Sequence, residues 1–422
     1  MSRFLVYVTP AVGHTLPLVP GLLELQHRGH DVQARVLPSL VETLRQAGLD
    51  ARPVAKEVAD VPVTDFRAST DGERLAAGQV DLMERGRYDG PDLAAAIAEF
   101  RPDALLVDTI SYGALTVAER SGLPRATLLP SVLPMVGRGI PPYGLGLAPR
   151  NGPLGRLRDA LLWRVVERLF GKAMLPGLNR LRREAGLDEL TSPHTMLERP
   201  DAVIAMTSPP LEYPRADLPD HVHVVGFQAW DPPAERPVWL DEPGDPWVLV
   251  TCSTEYQGDE ELARIAVAAF RDQPVRVLLT LADAYDGAGL ASAGNVRVER
   301  FVPHGQVLPE CAAVVCHGGM GIVGKAFTAG VPMVVVPFGR DQPEIARRVV
   351  EAGVGVSLKP KRLTPERLRH AVDAAIACGP TARTCAERAA AAEPAAAFAD
   401  AAETLVARRG AQRDESARPQ RG

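Results

Sequence analysis

A glycine-rich segment, residues 317–321 with the sequence HGGMG, has the composition of an anion-binding turn. It directly follows residues 312–316, a short apolar run that predicts a buried strand, and it precedes a helix-like segment that runs to Ala329. Glycines let backbone N–H groups approach a phosphate closely, and the N-terminus of the following helix adds a partial positive charge. The segment therefore predicts a diphosphate site.

His14 and Asp108 are a second set of candidates for chemistry. His14 lies in the loop 10–15 after the first predicted strand, and Asp108 ends the predicted strand 103–108. Both fall at the carboxyl edge of one parallel sheet, where a carboxylate can fix the tautomer of an imidazole that deprotonates a hydroxyl group. Two plainer interpretations stay open: a structural His14, and an Asp108 that caps a helix beginning near Ser111.

A polar segment, residues 338–342 with the sequence FGRDQ, follows the next buried run, 331–336. In an open parallel sheet, ligands bind outside the carboxyl ends of the strands. We therefore expect this segment and the glycine turn to lie at the same edge of one sheet.

The elements that must position these residues alternate between strands and helices. The predicted strands are residues 3–9, 31–37, 103–108, 125–129, 201–206 and 221–225, and then 247–252, 275–281, 295–301, 312–316, 331–336 and 353–358. Helical runs between strands predict parallel sheets covered on both faces, an α/β architecture of two similar halves. The predicted organisation is a first domain 1–225, a Pro- and Gly-rich linker 226–246, a second domain 247–380, a C-terminal helix 381–407 with a break at Pro394, and a disordered tail 408–422.

Two long interruptions break this alternation. Residues 54–89 are polar and predict irregular structure, whereas residues 131–153 are rich in Gly and Pro and include the apolar side chains Met135 and Tyr143. Loops this long inside a compact domain are usually functional or disordered. We expect the second interruption to bind a ligand, because its apolar residues suit mere solvation poorly.

Composition excludes other classes of protein. The 422 residues carry a net charge of −5, whereas a nucleic-acid binder usually has a basic domain. The five cysteines are odd in number and lack metal-type pair spacing, which is typical of a reduced, cytoplasmic chain. The first apolar run is too short for a signal peptide, and no run reaches the roughly 18 residues of a spanning helix. We expect no nucleic-acid partner and no membrane insertion.

The glycine turn also has a competing interpretation. Gly319, Gly321 and Gly324 match the dinucleotide fingerprint G-x-G-x-x-G, and Asp341 lies about 20 residues beyond it, as in an NAD(P)-dependent oxidoreductase. Against this interpretation, the motif follows the fourth strand of its half, whereas a dehydrogenase carries it after the first. A third interpretation is that the glycines serve only close packing of helix on sheet.

A set of short motifs extends along the chain to about Ala407. They are residues 10–17 (PAVGHTLP), 28–32 (RGHDV), 301–304 (FVPH), 308–309 (LP), 317–321 (HGGMG), 330–332 (GVP) and 337–342 (PFGRDQ). In order and spacing they resemble family 1 glycosyltransferases of the two-Rossmann-domain (GT-B) type, and most closely the bacterial branch that glycosylates antibiotics and other secondary metabolites.

The resemblance implies a fold and an activity. The fold is two Rossmann-like, doubly wound parallel-sheet domains that face each other across a cleft, with the C-terminal helix packing back on the first. The activity is inverting, metal-independent transfer of a sugar or deoxysugar from a TDP- or UDP-sugar to a hydroxyl, or a carbon, of a bulky apolar natural product such as a polyketide aglycone. No cofactor is implied, and the oligomeric state, including a homodimer, stays open.

The resemblance also assigns roles to residues. His14 is the base, Asp108 orients it, and His317 with Gly319 and Gly321 stabilises the departing diphosphate. Met135 and Tyr143 are the candidates for acceptor contact. The donor-binding set is Ser253, Thr254, Val302, His317, Gly319, Met320, Gly321, Ile322, Asp341 and Gln342.

Two positions depart from the family pattern, which commonly has Ser or Thr where this chain has Ile322 and a ribose-binding Glu where it has Lys325. Ile322 can donate only from its backbone, and Lys325 cannot accept a hydrogen bond from a ribose hydroxyl, although it could attract phosphate. The choice between uridine and thymidine nucleotides stays open, as does a Lys325 on a solvated helix face. The departures also leave open a non-catalytic, nucleotide-sugar-binding partner of another transferase, and a hydrolysing epimerase of the same architecture is a further alternative.

Overall fold

The structure is a computed structural model that describes residues 1–68, 71–254, 259–282, 285 and 289–416. Two groups of strands alternate with helices along these residues. The strands are β1 Arg3–Tyr7, β2 Asp31–Val36, β3 Asp50–Pro53, β4 Ala104–Asp108, β5 Arg125–Leu129, β6 Ala202–Ala205, β7 Val222–Val224, β8 Trp247–Thr251, β9 Arg276–Thr280, β10 Val296–Glu299, β11 Cys311–Cys316, β12 Met333–Val335 and β13 Gly355–Ser357.

The helices lie between the strands and after the last one. They are α1 Val19–His27, α2 Val41–Gln46, α3 Asp71–Phe100, α4 Tyr112–Ser121, α5 Pro153–Glu184, α6 Glu260–Phe270, α7 Met320–Thr328, α8 Gln342–Glu351, α9 Pro365–Ile376, α10 Gly379–Ala390 and α11 Pro394–Ser416. One-turn helices cover Val12–Thr15, Lys56–Ala59, Thr195–Glu198 and His304–Val307.

The strands form two parallel sheets, with the order β3-β2-β1-β4-β5-β6-β7 in the first and β10-β9-β8-β11-β12-β13 in the second. In each, the chain starts in the middle, winds to one edge, and returns to wind to the other, which is the doubly wound Rossmann arrangement. Central strands such as β4, with the sequence ALLVD, are buried along their whole length because helices cover both faces. The predicted pair of Rossmann-like domains is confirmed.

Helix α3 corrects the prediction that residues 54–89 are irregular, because regular helix runs from Asp71 to Phe100 through Pro91. Its glycines and proline lower helix propensity, but Gly86 and Gly90 allow a close approach to α4. A Cβ atom added to Gly113 of α4 would lie 1.9 Å from the carbonyl oxygen of Gly86 in α3. Tertiary packing therefore sets the part of this helix before Pro91, which local preference does not reveal.

Two further elements were not expected from the sequence. Strand β3 was missed because its four residues, with the sequence DARP, alternate too briefly to stand out. Residues 153–183, where the sequence analysis places no element, form most of α5, with Pro176 inside the helix. Residues 130–152, the Gly- and Pro-rich stretch between β5 and α5, are described in full and contain no regular strand or helix.

The C-terminal helices divide between the two halves. Helix α10 packs on the second half through Ala382 and Cys385, whereas α11 places Phe398 and Leu405 in the core of the first. The predicted packing of the C-terminal helix on the first domain is confirmed. The helix that crosses to that domain is α11, which begins at Pro394 and not at residue 381, because proline interrupts the helical run. Helix α11 continues to Ser416, within the segment for which we predict disorder, and residues 417–422 lie outside the described residues.

Candidate active site

A cleft of about 900 Å³ separates the carboxyl edges of the two sheets and is lined by residues of both halves. The predicted site residues on its wall are His14, Tyr143, Ser253, Thr254, His317, Gly319, Met320, Gly321, Ile322, Asp341 and Gln342. Asp108 is buried behind His14. The structure therefore brings the two separate sequence signals, the histidine loop and the glycine turn, to one cavity.

Two predicted contacts, Met135 and Val302, do not belong to this wall in the described part of the chain. Met135 is buried in an apolar cluster with Leu133 and Leu197. Val302 is 4% exposed and packs into the core of the second half. Both side chains are apolar and point into a hydrophobic core. Residue type alone does not predict whether such a side chain points into the core or into the cleft.

His14 and Asp108 are in direct contact. His14 Nδ1 lies 2.7 Å from Asp108 Oδ2, with the histidine side chain 28% exposed and the carboxylate fully buried. The other oxygen, Oδ1, accepts a hydrogen bond from the backbone N–H of Ile110 at 2.9 Å, so the aspartate also fixes the turn after β4. A carboxylate on Nδ1 stabilises the tautomer that carries its proton there, which leaves Nε2 as the basic nitrogen.

The glycine turn joins β11 to α7. Gly318 has φ of +99°, which favours glycine, and a Cβ atom on Gly319 would lie 2.4 Å from Nε2 of His317 and would displace that ring. Gly319 is the N-cap of α7 and provides no side-chain cap, which leaves first-turn N–H groups for a ligand. The turn has the geometry of an anion site at a helix N-terminus.

His317 is buried against this turn. Burial, and secondarily the positive charge of Arg340, lowers the pKa of His317 to about 4, so its ring is neutral at neutral pH. Within the described residues, its Nδ1 atom has no hydrogen-bond partner, although Asp259 Oδ2 is 3.9 Å away. A buried, unsatisfied ring nitrogen is costly unless a ligand pairs with it.

Asp341 and Gln342 shape the loop before α8. Gln342 Oε1 accepts hydrogen bonds from the N–H groups of Phe338 at 2.7 Å and Gly339 at 3.1 Å. Asp341 Oδ2 accepts from the hydroxyls of Ser131 and Tyr143, each at 3.4 Å. Tyr143, which we expected to contact an acceptor, thus reaches a carboxylate of the opposite half.

The environment of Asp341 raises its pKa through burial, an effect that the charges of Arg340 and His14 oppose. Burial likewise raises the pKa of the Tyr143 hydroxyl, which keeps it a hydrogen-bond donor. The two halves therefore meet at a partly buried, polar contact directly beside the catalytic candidates.

Ser253 and Thr254 follow β8 on the far side of the glycine turn. The backbone N–H of Ser253 donates to Asp259 Oδ2 at 2.7 Å, and this carboxylate holds the loop in place. Thr254 is exposed to the cleft. Among the described residues, no group of three or more His, Cys, Asp or Glu side chains is placed to hold a metal ion.

Lys325 lies in the cleft wall and not on a solvated helix face. Its Nζ atom is 2.5 Å from Asp231 Oδ1, and both side chains are only 14% exposed. Asp231 Oδ2 accepts from the N–H of Gly305 at 2.8 Å. Asp231 belongs to the linker, in which the sequence analysis identified no site residue. It places a carboxylate next to Lys325, the residue that stands where the family has its ribose-binding Glu. Ile322, the other departure, is 8% exposed and packs in the adjoining core.

A second pair of contacts crosses the cleft. Arg340, a non-glycine residue with φ of +55°, makes two bonds to the Asp65 carboxylate, Nε to Oδ2 at 2.7 Å and Nη2 to Oδ1 at 2.8 Å. Arg74 donates to the carbonyl oxygen of Phe338 at 2.7 Å. Sequence reasoning missed Asp65 and Arg74 because both fall in the region assigned as irregular.

Comparison with known proteins agrees with this arrangement. Residues 268–407 match the family model "Erythromycin biosynthesis protein CIII-like, C-terminal domain". The chain is 33% identical over 388 residues to 4'-demethylrebeccamycin synthase of Lentzea aerocolonigenes, with 89% of this chain and 92% of that protein aligned. It is 28% identical over 399 residues to 3-alpha-mycarosylerythronolide B desosaminyl transferase of Saccharopolyspora erythraea, at 85% and 87% coverage.

Among solved structures, the glycosyltransferase VinC in complex with dTDP superposes with a TM-score of 0.67 at 23% identity, covering 96% of this chain and all (100%) of that one. Together with the two parallel sheets and the cleft, these findings define a GT-B enzyme. The chain belongs to the family 1 natural-product glycosyltransferases, and it is a transferase of the antibiotic-biosynthesis type. This identification replaces the oxidoreductase interpretation of the glycine motif.

Proposed function

We propose that this glycosyltransferase is inverting and metal-independent, and that it moves a sugar from a TDP- or UDP-sugar to a hydroxyl group of a bulky apolar natural product. The observation that carries the proposal is the His14–Asp108 pair, 2.7 Å apart, in the same cleft as the open N-terminus of α7. One group can take a proton from an acceptor while the other receives an anionic leaving group.

On the donor side, the second half holds the nucleotide. The diphosphate lies on the first-turn N–H groups of α7, beside neutral His317, and these donors stabilise the charge that develops as the sugar leaves. This backbone positive charge supplies what a bound metal supplies in other transferases. Asp341 and Gln342 face the sugar hydroxyls. VinC, which shares this fold, binds dTDP, and this supports a thymidine nucleotide as the donor's nucleotide.

Asp231 supplies the carboxylate that the ribose needs. It is held by Lys325, which lies four residues after Gly321 and so about 6 Å along α7 from the diphosphate site. The ribose is the part of a nucleoside diphosphate that directly adjoins the diphosphate. A largely buried carboxylate at this distance accepts a hydrogen bond from a ribose hydroxyl, and the lysine holds the carboxylate in position.

On the acceptor side, His14 Nε2 removes the hydroxyl proton as the acceptor oxygen attacks the anomeric carbon. The carbon–oxygen bond to the diphosphate breaks in the same displacement, so one inversion results and the proton ends on His14. Asp108 stabilises the imidazolium that forms. Domain 1–225 is then the acceptor domain and domain 247–380 the donor domain.

The walls of the first half fit a large apolar acceptor. Side chains from α5 and from the segment after it line the cleft with little polarity, and they are Trp163, Val166, Phe170, Met174, Met196 and Leu197. Such a pocket binds by apolar area, and a few polar groups orient the ligand. The name of the desosaminyl transferase relative, which contains 3-alpha-mycarosylerythronolide B, supports a natural-product acceptor.

The direct test is turnover. The protein, treated with EDTA, is incubated with TDP-glucose or UDP-glucose and a panel of polycyclic and macrolactone alcohols, and glycosylated product and its anomeric configuration are measured by mass spectrometry and NMR. We expect β-glucoside from an α-donor without added metal. A requirement for Mg²⁺, or retention of configuration, would contradict the proposal.

A further inference from the structure

Helix α5 presents an apolar stripe to solvent over its first five turns. Five large apolar side chains, spaced three or four residues apart, are more than half exposed: Leu154 81%, Leu157 57%, Leu161 53%, Val165 53% and Leu169 58%. At this spacing they lie on one side of the helix, in a stripe about 22 Å long. A helix of a globular protein normally turns such a stripe toward its core, so a patch of this size indicates a binding surface.

The exposed charged side chains on this stretch of α5 have one sign. Both acids in this stretch are paired: Asp159 is buried with Arg158 2.7 Å away, and the half-buried Glu167 accepts a hydrogen bond from Ser192 Oγ at 2.7 Å. The exposed charged side chains between residues 153 and 172 are Arg156, Arg164, Arg168 and Lys172.

We propose that this face of α5, Leu154 to Lys172, docks on an anionic lipid surface. Exposed leucines flanked only by cations are the signature of a helix that lies in the plane of a membrane, with its apolar side chains below the headgroups. A second copy of the chain fits less well, because a two-fold contact would bring arginines against arginines. No helix in the described part of the chain is long and apolar enough to cross a membrane.

The stripe leads to the active cleft. Leu169, at its end, is also part of the cleft wall, next to Val166 and Phe170. An apolar acceptor dissolved in the lipid therefore reaches the cleft along a continuous apolar path, without passing through water. Docking would raise the acceptor concentration at the site and would not change the chemistry.

The test is sedimentation of the full-length protein with vesicles, which is independent of glycosyl transfer. We expect at least tenfold stronger partitioning onto vesicles of phosphatidylglycerol and phosphatidylcholine (1:1) than onto pure phosphatidylcholine, and weaker binding in 0.5 M than in 0.1 M NaCl. The double variant Leu157→Glu/Leu161→Glu should lose at least tenfold. Arg164→Glu/Arg168→Glu should lose the preference for the anionic vesicles.

The matched control is Val238→Glu/Ile376→Glu, which makes the same kind of change at exposed apolar residues away from α5 (83% and 43% exposed) and should bind as wild type. Circular dichroism confirms that each variant is folded. Absence of wild-type binding to anionic vesicles, or an equal loss in the control, would overturn the proposal. Light scattering that shows a dimer abolished by Leu157→Glu/Leu161→Glu would instead assign the face to a contact between copies.

Discussion

The role of Asp108 rests on a single contact, the 2.7 Å approach of its Oδ2 to His14 Nδ1. Asp108→Asn keeps the size of the side chain, but the amide can donate to Nδ1 and so stabilise the wrong tautomer of the imidazole. We expect kcat to fall about 10²- to 10⁴-fold, with the affinity for the nucleotide unchanged. Steady-state kinetics at saturating acceptor measure it.

The matched control for this variant is Asp103→Asn, just before the other end of β4, where the carboxylate accepts from the N–H of Arg3. It should retain wild-type kcat. If Asp108→Asn also turned over normally, Asp108 would only fix the turn through Ile110.

The Asp231 assignment can be tested by removing the hydroxyl that it should bind. Wild-type protein should bind 3'-deoxy-TDP about tenfold more weakly than TDP, because a hydrogen bond to a charged group is worth about 1.5 kcal/mol or more. In Asp231→Asn the two ligands should bind almost equally, as calorimetry can measure. Asp241→Asn, an exposed linker carboxylate paired with Arg236, is the control and should keep the discrimination.

The two failures of this test are distinct. If both ligands bind Asp231→Asn with the wild-type ratio, Asp231 does not contact the ribose, while the glycosyltransferase proposal stands. If neither TDP nor UDP binds the wild-type protein, the donor site itself is wrong.

At the scale of elements, the loop before α8 is fixed from the opposite half by the Asp65–Arg340 pair, whose side chains are 8% and 31% exposed. Arg340→Ala should raise KM for the sugar donor roughly five- to tenfold, since a bidentate pair of this exposure is worth about 1 kcal/mol. Asp65→Ala should have the same effect, and the double variant should add little to either. Arg264→Ala, an exposed arginine of α6, is the control. Additive effects would show that the two residues act separately.

The contact between α3 and α4 makes stability depend on pH. Asp89 of α3 is buried and accepts from the N–H of Ala114 at 2.8 Å, and burial raises its pKa to about 8. Between pH 4 and 8 the folded state therefore holds a proton that the unfolded state releases, so the free energy of unfolding falls as pH rises, by up to about 1.4 kcal/mol per unit.

Urea unfolding at pH 5.5, 6.5 and 7.5 measures this slope. Asp89→Asn cannot ionise and should flatten it, whereas the exposed Asp220→Asn should leave it unchanged. A wild-type slope equal to that of Asp89→Asn would show that the carboxyl ionises normally in the folded protein.

Sequence predicted best those elements whose signal is local. β4 and β11 are apolar runs that end in a polar residue or a glycine turn, so they place Asp108 and the HGGMG segment at the sheet edge without further information. The part of helix α3 before Pro91 was not predicted, because Gly86 and Pro91 argue against a helix until the close approach of α4 is known.

The site residues divide in the same way. His14 and the glycine turn are each recognisable from their neighbours in sequence. Asp231, Asp65 and Arg74 become site residues only through contacts across 94, 275 and 264 positions of chain, and no local pattern encodes such a contact.

At the scale of the whole molecule, catalysis needs both halves in one cavity. In the proposed mechanism the first half contributes the base and the second the anion site. Helix α11 joins the two halves by returning to the core of the first half. The Asp341 contacts with Ser131 and Tyr143 show the halves already in register. Preorganisation of this kind lowers the entropy cost of bringing donor and acceptor together.

The measurement that most directly tests this account is the turnover of His14→Ala at saturating acceptor, with TDP affinity measured on the same preparation. His27→Ala, an exposed histidine of α1, is the control. We predict a loss of about 10²- to 10⁴-fold in kcat with TDP binding within threefold of wild type. If kcat stayed within threefold of wild type, His14 would not be the base, and the mechanism proposed for this cleft would be wrong.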